Sequence, residues 1–181
     1  MKKLATLGRK ERAVIEERRR SGYRRDALEH FDGELEPHLR ALVSRLIPGV
    51  QDNIDLAGFV DAHAEKPLGR GDRAPDLPPA PELLRRGLQA LAGCDFAGLP
   101  ETEQDHLIGR MRRGEADDEL GLAAKEFVDR LLVLALAGYL AHPDTWERIG
   151  FNGPAFPEGY AWITPTATLK RHRGFPGAGR L

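Results

Sequence analysis

The sequence predicts a mainly α-helical single domain that ends in a long irregular segment, and three observations predict it. Apolar residues recur at spacings of three and four through most of the first 141 positions, as a one-sided buried helix face requires. Beyond them, residues 142–181 carry six glycines, five prolines and both tryptophans, a composition that denies regular structure while supplying rings to bury. The whole chain has 181 residues, 41% of them hydrophobic, with a single cysteine, so it can bury a real core and cannot be a disulfide scaffold.

The elements follow in order. Residues 1–30 read as a basic, partly helical arm: the first 25 positions sum to +7 and the rest of the chain to −8. Such an arm is either a solvated terminus, the favoured reading, or a tail that docks on an anionic partner. A helix is expected over 34–46, where Leu35, Leu39, Leu42, Val43 and Leu46 share a face, with Pro37 in its first turn and Pro48-Gly49 ending it. A short helix over 55–64 places Leu56, Phe59, Val60 and His63 on one side. Residues 66–81 hold five prolines, Gly69 and Gly71, and read as a connecting loop.

Helix returns over 81–92, with Leu83, Leu84, Leu88 and Leu91 inward and Gly93 ending it. Pro100 with Glu101, Glu103 and Asp105 marks another start, suited to the positive end of a helix dipole, and that helix should bury Leu107, Ile108 and Met111. The strongest element is expected over 118–141. Its second half is apolar almost all round, so it must be central to the fold or covered by a partner. From His142 onward only residues 160–163 can form a short strand. The helical domain is thus expected at 31–141, and 142–181 is expected to pack on that body, on a partner, or on both.

A search for chemistry excludes more than it finds. His30, His38, His63, His106, His142 and His172 fall in no metal-ligand spacing, and Cys94 has no second thiol; Cys94 is expected as a small buried residue. The acidic groups Asp52 with Asp55, and Asp117-Asp118-Glu119, sit where helices begin, so capping accounts for them. There is no phosphate-binding loop: Gly69-Arg70-Gly71 lacks the remainder of the fingerprint. No active site, metal site or cofactor site of this chain's own is expected. The longest apolar run, at 131–137, is too short to span a bilayer, and no apolar stretch follows the basic start as a secretory signal would need.

The end of the helical region carries the specific pattern. Gly138-Tyr139, His142-Pro143, Trp146, Ile149-Gly150-Phe151, Gly153-Pro154 and Pro157-Glu158-Gly159-Tyr160 occur in order. Upstream stand Leu42-Val43-Ser44-Arg45-Leu46-Ile47-Pro48, Ala57-Gly58-Phe59-Val60-Asp61, Phe96-Ala97-Gly98-Leu99 and Glu103-Gln104-Asp105. In order and spacing this set, over about residues 35–165, resembles the gluconate 2-dehydrogenase subunit 3 family.

The resemblance implies a non-catalytic accessory subunit. Its expected partner is a large FAD-containing subunit of the glucose-methanol-choline oxidoreductase type, which oxidises a sugar or polyol hydroxyl and passes electrons to a cytochrome c or other acceptor. FAD is then expected in the partner. One departure concerns export: many members begin with a twin-arginine signal, whereas Arg18-Arg19-Arg20-Ser21-Gly22-Tyr23 is followed by no apolar stretch. The cytoplasm is the favoured expectation, with export on a partner's signal as the other route. The expected interface residues are Tyr160, Trp162, Arg171, Arg173 and Phe175, because aromatics and arginines are enriched at interface hot spots. Trp146 and Ile149 are expected to pack inside the molecule. His142 is expected at a helix C-terminus and His172 in solvent, the alternative being an approach of either imidazole to the partner's flavin. A helical adaptor whose basic arm binds nucleic acid or an anionic membrane is the competing reading, with nucleic acid not favoured.

Overall fold

Proline, glycine and acid placements set the helix boundaries in a computed structural model that describes residues 9–65 and 77–151. Among the described residues there are eight helices and no strand: α1 (Arg9–Ser21), α2 (Leu35–Leu46), α3 (Leu56–Ala62), α4 (Ala80–Gly93), α5 (Glu101–Arg112), α6 (Asp117–Leu120), α7 (Ala124–Ala141) and α8 (Pro143–Trp146), with a 3-10 turn at Phe96–Gly98. The fold is mainly α, as the periodicity predicts. Asp55 caps α3, its carboxylate accepting the Gly58 amide at 3.0 Å. Pro79 and Pro100 stand immediately before α4 and α5, where a missing amide hydrogen costs nothing. The expected strand at 160–163 and most of the expected loop at 66–81 lie outside the described residues.

The single long helix expected over 118–141 is two helices. Gly121 adopts a left-handed conformation, φ +64°, which ends α6 after one turn. The chain then turns back so that the Asp117 carboxylate accepts the Ala124 amide at 3.1 Å and caps α7.

Helix α7 is the centre of the core. Phe127, Val128, Leu131, Leu134 and Ala135 are fully buried on it, and α2, α3, α4 and α5 pack around it. The expected core faces appear as the spacing requires: Leu39, Leu42 and Val43 on α2, Leu83, Leu84, Leu88 and Leu91 on α4, and Leu107, Ile108 and Met111 on α5. At two crossings a glycine lets a ring lie directly on a helix backbone. A Cβ on Gly87 of α4 would stand 2.2 Å from the Phe127 ring, and one on Gly138 of α7 would stand 2.7 Å from the Phe59 ring.

Motif residues bind one another. Gln104 donates from Nε2 to the carbonyls of Phe96 and Leu99, both at 3.0 Å, and His38 Nδ1 accepts the Ala97 amide at 3.1 Å, so the 3-10 turn is held from two helices. Arg45 of α2 pairs with Asp105 and Glu101 of α5. Cys94 is exposed rather than buried: it follows the end of α4, its thiol turning back to the Leu91 carbonyl at 3.3 Å.

Candidate functional site

The described residues offer no catalytic constellation, and among them no group of three or more His, Cys, Asp or Glu is arranged to hold a metal ion. No described helix is long and apolar enough to cross a membrane. The informative region is the C-terminal end of α7, where sequence-distant segments meet.

A helix leaves its last four carbonyls without intrahelical partners. In α7 each receives a side-chain donor. The Tyr23 hydroxyl donates to Gly138 O at 3.0 Å, the Thr145 hydroxyl to Tyr139 O at 2.7 Å, Trp146 Nε1 to Leu140 O at 3.0 Å, and Arg18 Nη1 to Ala141 O at 2.8 Å. The Arg18 charge also suits the negative end of the helix dipole. Arg19 pairs with Asp144 of α8 at 2.7 Å, and Asn53 donates to the other Asp144 oxygen at 2.8 Å. The N-terminal segment is therefore not wholly a solvated arm. From Arg9 it is helical, its inward positions Ile15, Arg18, Arg19 and Gly22 following helical spacing, and two of its arginines are committed to the end of α7.

Tyr23 and His142 occupy the middle of this junction. The Tyr23 ring meets Phe59 edge-on at 4.8 Å and His142 at 5.5 Å. Burial pushes its phenol up to about 12. His142 is fully buried, and Nδ1 accepts the Asp144 amide at 3.3 Å, so this imidazole caps α8. Its Nε2 is buried with no hydrogen bond of standard geometry among the described residues, and burial lowers its pKa below the usual histidine value. In this chain the His142 imidazole is thus engaged with its own backbone at the α7–α8 corner. It sits at the start of α8 as well as the end of α7, so its contact is an N-terminal cap rather than a favourable charge at a C-terminus.

A second fixed point lies at Asp61 on α3. Its fully buried carboxylate accepts three consecutive amides, those of Glu29 at 3.0 Å, His30 at 2.8 Å and Phe31 at 3.1 Å, with Arg25 Nη1 at 3.4 Å. This clip seats Leu28 and Phe31 in the core. Sequence reasoning missed its role, although an aspartate at the end of the apolar run Leu56 to Val60 was the available signal.

The surface that remains unfilled is the outward face of α7. Its first half is charged, with Lys125 and Asp129 paired at 2.5 Å. Its second half is apolar: Val133 is 50% exposed, Leu136 37% and Leu140 46%. The face continues past α7 through Trp146, bonded to the Leu140 carbonyl, to Phe151, whose ring meets Trp146 edge-on at 5.3 Å. Phe151 and Ile149 are each 46% exposed, so Ile149 does not pack inside the molecule as expected; it follows the last turn of α8 outward. Trp146 is half-buried. Val133, Leu136 and Leu140 share one helix face by their spacing of three and four.

Of the motif residues, His142, Pro143 and Trp146 form the α7–α8 corner, Gly150 turns the chain with φ +69°, and Ile149 and Phe151 stand exposed after it. Gly153, Pro154, Pro157, Gly159 and the expected interface residues Tyr160, Trp162, Arg171, Arg173 and Phe175 lie outside the described residues, as does His172. No curated protein and no solved structure matches the chain. The family model for gluconate 2-dehydrogenase subunit 3 matches residues 36–153, from the start of α2 through Phe151. A match over well over half of the chain, taking in Asp61 and the C-terminal end of α7, places this chain in the gluconate 2-dehydrogenase subunit 3 family.

Proposed function

We propose that this chain is the non-catalytic accessory subunit that binds and stabilises a large FAD-dependent subunit of the glucose-methanol-choline type, acting on a sugar or polyol. Family membership supplies the role of subunit in a dehydrogenase complex. The observation that carries the docking part is the apolar face of Val133, Leu136 and Leu140, continued by Trp146 and Phe151, on the family-matched part of the chain. Each exposed leucine or valine gains about 1 kcal/mol when the remainder of its surface is covered, half the value for full burial. At the adjoining end of α7 the half-buried Tyr23 donates to the Gly138 carbonyl and the fully buried His142 accepts the Asp144 amide, so both side chains are engaged with backbone. In this reading FAD resides in the large subunit, a cytochrome c or another acceptor takes its electrons, and Tyr160, Trp162, Arg171, Arg173 and Phe175 extend the docking surface beyond Phe151.

Affinity purification of the tagged chain from its native host, in mild salt, tests this. The expected result is a co-eluting polypeptide of flavoprotein size with flavin absorption bands and dye-linked oxidation of a sugar or polyol. A colourless chain that elutes alone at every salt concentration overturns it.

A further inference from the structure

The chain keeps an unusual device at the end of α7. Helix α1 carries six arginine or lysine residues against three glutamates, on a molecule whose residues after position 25 sum to −8. It adds one buried hydrophobic residue, Ile15, and that residue is not part of the main core cluster. Core packing therefore does not explain why α1 is held.

Held it is, by three bonds that cross more than a hundred residues: Arg18 to Ala141 O, Arg19 to Asp144 and Tyr23 to Gly138 O. All three attach to the turn that also carries Leu140 and Trp146. The inward positions Ile15, Arg18, Arg19 and Gly22 leave Arg9, Lys10, Arg12 and Arg20 on the exposed side against Glu16 and Glu17, the latter paired with Arg20, together with the 56%-exposed Val14. A helix with a net positive charge is thus fixed to the α7–α8 corner, whose neighbouring residues Leu140 and Trp146 belong to the apolar stripe.

Resting on the accessory-subunit reading above, we infer that the docking surface is bipartite. The apolar stripe of α7 and α8 provides the core of the contact, and the exposed cations of α1 provide its charged rim. The fitting partner is a protein face with an apolar groove flanked by carboxylates. A protein face is favoured over an anionic lipid surface or a nucleic acid because the acidic remainder of the chain opposes approach to an extended polyanion, whereas a local carboxylate rim meets α1 alone.

Rim charges act on association and on its salt dependence, while apolar core contacts act on dissociation. The test uses the large subunit obtained by co-purification, the wild-type chain, an R9Q/K10Q/R20Q variant and an L136A/L140A variant. None of these positions belongs to the Arg18, Arg19 and Tyr23 anchors, and circular dichroism checks that each variant keeps its helix content. Association is followed at about 50 mM and about 500 mM salt, a range over which screening shortens from ~14 Å to ~4 Å. The wild-type on-rate is expected to fall about tenfold or more across that range. The charge variant is expected to start near the high-salt rate and to change little with salt, at an unaltered off-rate. The apolar variant is expected to dissociate faster with its salt dependence intact.

An unchanged on-rate and salt dependence for the charge variant overturns the bipartite surface and leaves the accessory role standing. Failure of the wild-type chain to co-purify any large subunit overturns both. Binding to phosphatidylserine-rich vesicles that the charge variant loses, with its partner on-rate unaltered, also overturns the inference and assigns α1 to a membrane surface.

Discussion

Replacing Asp61 separates its carboxylate from the rest of the fold. The fully buried side chain holds three successive amides and lies 3.4 Å from Arg25. Only the Phe31 amide is buried with it; Glu29 is exposed and His30 half-buried, so water can replace part of what is lost at those two. An unsatisfied buried donor costs about 1–3 kcal/mol and a lost charge-assisted bond a similar amount, and the half-exposed Arg25 contributes little. Asp61→Ala is therefore expected to cost about 4 kcal/mol. Asp61→Asn keeps Oδ1 for the His30 and Phe31 amides but turns an NH2 group toward the Glu29 amide, donor against donor, and is expected to cost about 2 kcal/mol. Against a total of about 5–15 kcal/mol these are large fractions. Urea denaturation followed by far-ultraviolet circular dichroism reads both as falls in midpoint, and hydrogen exchange should show the Phe31 amide losing protection first. Midpoints of both variants within about 0.5 kcal/mol of wild type would refute the idea that this carboxylate seats the segment carrying Leu28 and Phe31.

Further expectations concern the end of α7. Gly138→Ala drives a Cβ to 2.7 Å from the Phe59 ring and should cost about 1–3 kcal/mol as overpacking; an unaltered thermal midpoint contradicts the close approach. Arg18→Ala removes a charged cap from the Ala141 carbonyl and should cost about 1–2 kcal/mol in urea denaturation, with Arg20→Ala, outside the junction and paired only with Glu17, as the near-neutral control. His142 has a pKa lowered from 6.5 by burial, so the unfolded state binds the proton more readily; its contribution is complete above about pH 6.5 and is lost as pH falls below it, through the folded value. His142→Gln should flatten the fall of the denaturation midpoint between pH 7 and pH 5, and an unchanged slope contradicts burial of the neutral imidazole. For Tyr23 the sign is opposite: a phenol raised to about 12 favours the folded state below pH 10, and ultraviolet titration should show one tyrosine ionising near pH 12, a step absent in Tyr23→Phe.

Much of the helical framework was legible because each core face repeats at one period: the leucines of α4 and the Leu107, Ile108 and Met111 set on α5 are buried as their spacing requires. The break between α6 and α7 was not, because its cause is the conformation of Gly121 and a return bond from Asp117 to Ala124, and glycine within an apolar pattern does not announce which sign of φ it takes. The excess of apolar positions in 131–141 was visible, and Val133, Leu136 and Leu140 show where that excess goes. Which of those positions faced outward became clear only when α2 to α5 had taken the other sides of α7. The capping role of Arg18 and Tyr23 was hidden for a different reason. Their partners are carbonyls more than a hundred residues away, and a backbone acceptor leaves no mark in a sequence. The motif around His142 marked the right corner of the molecule, but as a structural joint: His142 caps α8, and Trp146 closes α7.

The most direct test of the central claim places charge on the apolar face itself. Wild-type chain and the L136E/L140E variant, expressed side by side and matched in circular dichroism, are purified under identical mild salt, and the co-eluting mass and the flavin absorption are recorded for each. The account predicts a flavin-containing large subunit with the wild-type chain and its loss from the variant. An equally yellow complex from both chains would contradict docking through the exposed face of α7.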